Sequence, residues 1–280
     1  QAKPNIYGGI AAHRAGAELY AMMGGLGSVF RPSTAKDWMV RNVVAAEYRA
    51  SLGNARAVFF QNKEDVETFE KLGIVRQDQV VMVRGSGVNL EKFPAEPMPD
   101  TAVFLFVGRL VRGKGVLDYL QAARIVKQSH PEVKFLLVGP YDSNPTALGP
   151  RDIEPYIKEG AISYEGERHP DEIHEYMKQS SCFVLPSYYG EGTPKSALEA
   201  MATGRPLIVA DAVGCREVVS DRVNGFLVPP KNPETLASVM IGLIKDPRTA
   251  MCMGKRSRRM AEEVFDVRRV NRAICETMGI

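Results

Sequence analysis

Residues 107–115 of the chain read Val-Gly-Arg-Leu-Val-Arg-Gly-Lys-Gly. An apolar run, Val103 to Val107, leads into this segment, and Gly108 lets the chain turn sharply behind it. Arg109 and Lys114 then project from a glycine-rich loop and the start of a helical stretch. Two cations beside unpaired N–H groups at a helix start suit a diphosphate. The spacing Gly-x-x-x-x-Gly-Lys-Ser/Thr is absent, so this is not a P-loop. On this segment alone, two solvated surface cations are the rival reading.

A second segment, residues 188–206, reads YYGEGTPKSALEAMATGRP. Gly190, Gly192 and Pro194 shape a tight loop that runs into a helix. The N–H groups of Gly192, Thr193 and Lys195 are expected to face an anion at that helix start, while Pro194 has no N–H to offer. Glu191 stands in the loop and Glu199 eight positions on, about one turn into the helix. Carboxylates accept pairs of hydroxyls, so one acid could hold a ribose and the other a hexose, with a diphosphate between them. The bland alternative for either acid is a solvated charge. For Glu199 that alternative is weaker, because Ala197, Leu198, Ala200 and Met201 surround it and a bare charge there is costly.

The elements that must position these residues follow from the apolar pattern. From residue 102 onward, strand and helix alternate five times. Strands are expected at Val103–Val107, Lys134–Val138, Ile162–Tyr164, Cys182–Leu185 and Leu207–Ala210. Helices are expected near 115–128, 153–158, 171–179, 195–203 and 231–246, the last with Asn232 as cap and Pro233 in its first turn. Two arginine-rich helical stretches follow. Such alternation gives a parallel sheet covered on both faces, which binds ligands beyond the carboxyl ends of its strands. Residues 1–92 show a loop entering a helix at the start, a strand at Ala57–Phe60, a helix at Lys63–Leu72 ended by Gly73, and a strand at Gln79–Val83. Pro94, Pro97 and Pro99 bar regular structure, so the boundary is placed there: residues 1–93, a linker at 94–101, a domain at 102–265 and a C-terminal helix at 266–280.

Composition excludes several classes. Of 280 residues, 36 are basic and 33 acidic, a balance too even to point to nucleic acid. Cys182, Cys215, Cys252 and Cys275 lie more than 20 residues apart, which is neither a zinc spacing nor a disulfide framework, so a reducing compartment is expected. No run approaches the roughly 20 apolar residues of a membrane span.

At this point a family emerges. EGTPKSALEAMATGRPLIVAD followed by GCREVVSDRVNGFLVPP resembles the signature of the retaining glycosyltransferases of family 4, with its Glu-x7-Glu element at Glu191 and Glu199. FVGRLVRGKGVLDYLQAA resembles the same family's Gly-Arg-Leu…Lys-Gly segment, and GSGVNLEKF its domain-linking turn. KPNIYGGIAA and GGLGSVF resemble the bacterial branch that extends lipid-linked oligosaccharides. The resemblance implies a GT-B fold: α/β, with two Rossmann-like domains, each with a parallel sheet. It implies transfer of a hexose or N-acetylhexosamine from a nucleotide-diphosphate sugar, a UDP-sugar by preference, to a glycan or lipid-linked acceptor. Arg109 and Lys114 would neutralise the donor diphosphate and stabilise the departing nucleoside diphosphate. Glu199 would hold the ribose and Glu191 the transferred sugar. Gly108 would shape the turn, and Gly192, Thr193, Pro194 and Lys195 the phosphate-binding helix start. No metal is expected, since the cations take that role and no Asp-x-Asp occurs.

The chain starts at Gln1, and about 90 residues precede the linker, roughly half of a usual domain of this kind. The N-terminal domain is therefore expected to be incomplete, with part of the acceptor side absent and Ser86 and Gly87 lining what remains. Rival functions are a nucleotide-sugar-binding fragment without turnover and a nucleotide-sugar epimerase, the latter disfavoured by Glu-x7-Glu. His169 falls where the family's base-binding loop lies and is a candidate nucleotide contact, while His13, His130 and His174 show no metal spacing. Arg256, Arg258, Arg259, Arg268, Arg269 and Arg272 are a solvated face or a contact for anionic headgroups, and Trp38 is core or an interfacial anchor. The expected location is the cytoplasm, with peripheral contact at the inner face of the plasma membrane.

Overall fold

The computed structural model describes residues 2–30 and 34–280. The segment 102–265 forms a six-stranded sheet, with the strands β4 (Val103–Val107), β5 (Lys134–Val138), β6 (Ser163–Gly166), β7 (Cys182–Leu185), β8 (Leu207–Ala210) and β9 (Gly225–Val228). Their spatial order is β6-β5-β4-β7-β8-β9, all parallel. Read from β4, this is the doubly wound order 3-2-1-4-5-6, which reverses direction between β4 and β7. The apolar runs are fully covered: Phe104, Leu105, Phe106, Phe183, Val184, Leu185, Ile208 and Val209 are all at most 1% exposed. Helices α4 (Val116–Ser129), α5 (Pro150–Lys158), α6 (Ile173–Gln179), α7 (Lys195–Ala202), α8 (Pro233–Lys245) and α9 (Pro247–Val264) cover this sheet.

The earlier part of the chain carries a three-stranded parallel sheet, β1 (Tyr20–Met22), β2 (Ala57–Phe60) and β3 (Val80–Met82), in that order. Helices α1 (Ala2–Ala15), α2 (Ala35–Leu52) and α3 (Lys63–Lys71) belong to it. Phe30, Tyr48, Phe60 and Phe69 form an aromatic cluster with ring centroids 5.2–6.0 Å apart. Ala57, Phe59 and Val83 form a separate apolar group, and it is covered by Ile274 and Met278 of α10 (Val267–Met278). The last helix thus returns to the first sheet. Val88 N–H donates to Phe265 O, and Val267 N–H donates to Val88 O, where it crosses.

One expectation is corrected here, and three elements went unread. The start of the chain is helical from Ala2, not a loop, since Pro4 falls in the first turn, where its missing N–H costs nothing. Helix α2 is not foreseen from periodicity, because Trp38, Met39, Val40 and Val43 are exposed and blur the apolar face. Its start does carry a legible sign: Thr34 Oγ1 accepts from Asp37 N–H, and Asp37 accepts from Thr34 N–H. Strands β1 and β9 were not read from the pattern: β1 buries a single residue, and β9 opens on a glycine and is buried only at its ends.

The connection at 94–101 is held to the six-stranded part by one buried side chain. Arg205 is 0% exposed and donates to the carbonyls of Glu96, Pro97, Met177 and Lys178 at 2.9–3.1 Å. Burial lowers its pKa to about 10, so it remains charged at neutral pH. Arg205→Met would leave these acceptors without their donor in a dry site, at a cost of about 3 kcal/mol. Urea unfolding should therefore show a clearly lower midpoint; a midpoint equal to that of the unaltered protein would mean that the pin contributes nothing.

Candidate functional site

Because β4 and β7 are adjacent and parallel, the loops leaving their carboxyl ends lie side by side at the switch point. The first carries Gly108 to Lys114, and the second runs from Pro186 to Pro194 before α7. They are joined by main chain, since Tyr188 N–H donates to Gly113 O at 2.8 Å. They are also joined by charge: Lys114 Nζ lies 2.7 Å from Glu191 Oε2, with the two side chains 14% and 12% exposed. Ser187 Oγ donates to Glu191 Oε1 at 2.6 Å. Arg109 sits 5.8 Å over the Tyr189 ring, so both cations face the second loop. Arg109 also pairs with Asp142 at 2.8 Å, beyond the carboxyl end of β5. Thus each cation of this site already has a carboxylate, and a bound anion must displace or share it.

Glu199 lies on the first turns of α7 and is 9% exposed. Burial raises its pKa to about 7, against the opposing pull of Lys195 and Lys92. The Lys195 ammonium is 3.9 Å away. Lys92 in turn pairs with Asp171, and Asp171 with His169, whose Nδ1 is 3.2 Å from it. His169 is exposed, and its N–H donates to Glu172. A line of polar side chains, Glu199, Lys92, Asp171 and His169, therefore runs along one flank, with Glu191 and Lys114 on the other.

The structure redirects several expected contacts. The N–H groups of Gly192 and Thr193 do not face an open anion site. Gly192 N–H donates to Gly24 O at 3.3 Å, and Thr193 N–H donates to Gln61 Oε1 at 2.7 Å. What remains at the start of α7 are the amides of Lys195 and Ser196, which have no carbonyl behind them in the helix; Pro194 stands before them as the cap residue. Gly87 does not line a cleft either: its Cα is packed against Val267 at the start of α10, while Ser86 beside it is exposed. Lys92, Asp142, Ser187 and Gln61 take part without having been singled out from the sequence. Lys92, inside the linking turn GSGVNLEKF, and Asp142 and Ser187, in the loops that leave the carboxyl ends of β5 and β7, stood in segments where ligand contacts were expected; Gln61 did not.

A cavity of about 320 Å3 lies elsewhere, lined by Met98, Phe104, Cys182, Leu243 and Pro247 among others. It is at the amino ends of β4 and β7, away from the end where open parallel sheets bind ligands, and few polar groups converge on it. No group of three or more potential metal-ligating side chains occurs among the described residues.

Comparison with known proteins adds a family. The sequence model described as glycosyl transferases group 1 matches residues 89–260. The N,N'-diacetylbacillosaminyl-diphospho-undecaprenol alpha-1,3-N-acetylgalactosaminyltransferase of Campylobacter jejuni is 30% identical over 268 residues, covering 90% of this chain and 68% of that protein. The putative colanic acid biosynthesis glycosyltransferase WcaL of Escherichia coli (strain K12) is 26% identical, covering 75% of this chain and 53% of WcaL. Among solved structures, Anabaena HepE in complex with UDP and glucose superposes with a TM-score of 0.83 at 22% identity, over 100% of this chain and 76% of HepE. Sucrose-phosphate synthase from Thermosynechococcus elongatus gives 0.81 at 24% identity, over 98% and 71%. The chain thus spans between about half and three quarters of the length of these proteins.

The raised pKa of Glu199 has a consequence for stability. Between its ordinary value of 4.5 and about 7, the folded protein holds a proton that the unfolded chain has lost. Stability therefore falls as pH rises through that window, and above it the ionised group costs at most about 3 kcal/mol. Glu199→Gln should raise the melting temperature of the ligand-free protein at pH 8 by about 3–8 °C, and leave it nearly unchanged at pH 4.5. A melting temperature that shifts equally at both pH values would rule out this origin.

Proposed function

The chain belongs to the group 1 glycosyltransferases, and from that premise we propose that it moves a hexose or N-acetylhexosamine from a UDP-sugar to a lipid-linked glycan, with retention at the transferred carbon. The supporting observation is the convergence of Arg109, Lys114 and the start of α7 at the sheet's switch point, with Glu191 on one side and Glu199 on the other. The donor preference is in keeping with the UDP, UDP-glucose and glucose held by solved HepE. The acceptor class is in keeping with the diphospho-undecaprenol in the name of the Campylobacter relative.

In this reading the diphosphate replaces Glu191 on Lys114 and Asp142 on Arg109. Glu191, released, turns to hydroxyls of the transferred sugar. Glu199, buried beside Lys195, accepts from the ribose diol. As the glycosidic bond breaks, negative charge grows on the departing UDP, and the two cations with the Lys195 and Ser196 amides stabilise it in place of a metal. Residues 102–265 form the donor-side domain, residues 94–101 the linker, residues 1–93 part of the acceptor side, and residues 266–280 a helix that closes back on it. Ser86 faces the acceptor side.

The same reading puts the protein in the cytoplasm, resting on the inner face of the plasma membrane. No helix among the described residues is long and apolar enough to cross a membrane. Exposed Trp38, Met39 and Val43 on α2, with Arg41 lying 5.7 Å over the Trp38 ring, suit an interfacial contact.

Calorimetry with UDP and with a UDP-N-acetylhexosamine tests the site. Glu199→Ala should weaken UDP by about tenfold, the effect of one lost hydrogen-bonded charge. Glu191→Ala should leave UDP binding no weaker but reduce discrimination between UDP-sugars that differ in the hexose. Undiminished UDP affinity in Glu199→Ala would end the ribose assignment.

A further inference from the structure

The loop that carries Glu191 is held from the other half of the molecule. Three of its main-chain groups are bonded there: Gly190 O accepts from Gly27 N–H at 3.1 Å, Gly192 N–H donates to Gly24 O, and Thr193 N–H donates to Gln61 Oε1 at 2.7 Å. The two strips lie so close that a Cβ on Gly25 would stand 2.3 Å from the Gly192 nitrogen. On its other side the loop rests on Gly214, where a Cβ would stand 1.9 Å from the Gly192 oxygen. Clamped on both sides, the 190–193 main chain sets the point from which the Glu191 side chain leaves, and in the ligand-free protein that side chain reaches Lys114 and Ser187.

Gln61 is the side chain in this clamp, and it is itself rigidly placed. It is 8% exposed and directly follows β2, whose ladder with β1 and β3 fixes its main chain. The next residue, Asn62, caps α3 by accepting from Asp65 N–H at 2.8 Å. By contrast, the main chain of each group assigned to the nucleoside diphosphate is placed by the six-stranded half: Arg109 beside Asp142 and Tyr189, Lys114 in the turn after β4, where its N–H donates to Val111 O, and Glu199 on α7.

We propose that Gln61 is a positioning residue that sets the sugar-facing carboxylate of Glu191 from across the molecule, so that the grip on the donor sugar, unlike the grip on UDP, depends on the two halves being closed. This rests on the donor-site reading given above. Without Gln61 Oε1, Thr193 N–H loses its acceptor in a buried position, the 190–193 strip is freed on one side, and the origin of the Glu191 side chain is no longer fixed.

The test uses the full chain with Gln61→Leu and Gln61→Glu, the second keeping an acceptor of the same reach. Melting temperatures first establish that both are folded. Calorimetry with UDP and UDP-N-acetylgalactosamine should then show Gln61→Leu binding UDP within about twofold of the unaltered protein and the UDP-sugar roughly five- to tenfold more weakly, with most of that loss recovered in Gln61→Glu. Equal loss for both ligands, or loss for neither, overturns the proposal. Amide hydrogen exchange of ligand-free protein supplies an arm independent of the donor: Thr193 should lose protection in Gln61→Leu and regain it in Gln61→Glu, and unchanged protection also overturns it. Failure of the unaltered protein to bind either nucleotide would instead count against the donor-site reading, leaving the exchange result to decide the role of Gln61.

Discussion

Lys114 and Glu191 stand 2.7 Å apart, nearly out of water, where the loops after β4 and β7 meet. A cation and an acid in such a place cost desolvation unless each satisfies the other, and Ser187 completes the arrangement by donating to the second carboxylate oxygen. On the proposed reading, the pair acts as a stand-in for a ligand. It keeps the cation aimed into the switch point, and it gives the acid somewhere to be when no sugar is present. Arg109 with Asp142 repeats the device one strand further along. On the same reading, a diphosphate arriving at this end of the sheet would meet cations already held in position by countercharges that it can replace.

The surrounding fold serves that contact. The doubly wound order brings β4 beside β7, so segments separated by some 80 positions in the chain leave the sheet as neighbours. Glu199 shows the converse of the satisfied pair. It is buried with its nearest ammonium at 3.9 Å, and its proton affinity is raised accordingly. An acid that destabilises the empty protein at neutral pH is kept where hydroxyl donors would relieve it, which is the trade expected of a binding site. The N-terminal half adds the remaining constraint: Gly24, Gly27 and Gln61 bond the main chain of the loop that carries Glu191.

The centre of the six-stranded sheet was legible because its strands are covered on both faces and read as unbroken apolar runs; the bounds of β4, β5, β7 and β8 coincide with those runs. Helix α2 was not, because its exposed positions mix Trp38, Met39 and Val43 with Lys36, Glu47 and Arg49 and so blur the apolar period. The same logic divides the site. Arg109, Lys114, Glu191 and Glu199 sit at strand and helix ends, where local spacing places them. The partners of the Gly192 and Thr193 amides could not be read locally, since Gln61 is 132 positions from Thr193 and nothing in either segment records the other. Asp142 escaped for a similar reason: it lies in an irregular loop whose path only the folded chain defines.

Titration of Lys114→Met with UDP, beside the unaltered protein and after unfolding measurements show both to be folded, addresses the central contact most directly. If the Lys114 charge passes from Glu191 to the diphosphate, the substitution should weaken UDP by more than about tenfold, or ~1.4 kcal/mol, and should make the remaining affinity less sensitive to salt. An affinity within about twofold of the unaltered protein would contradict the account, because the cation at the meeting point of the two loops would then have no part in holding the anion.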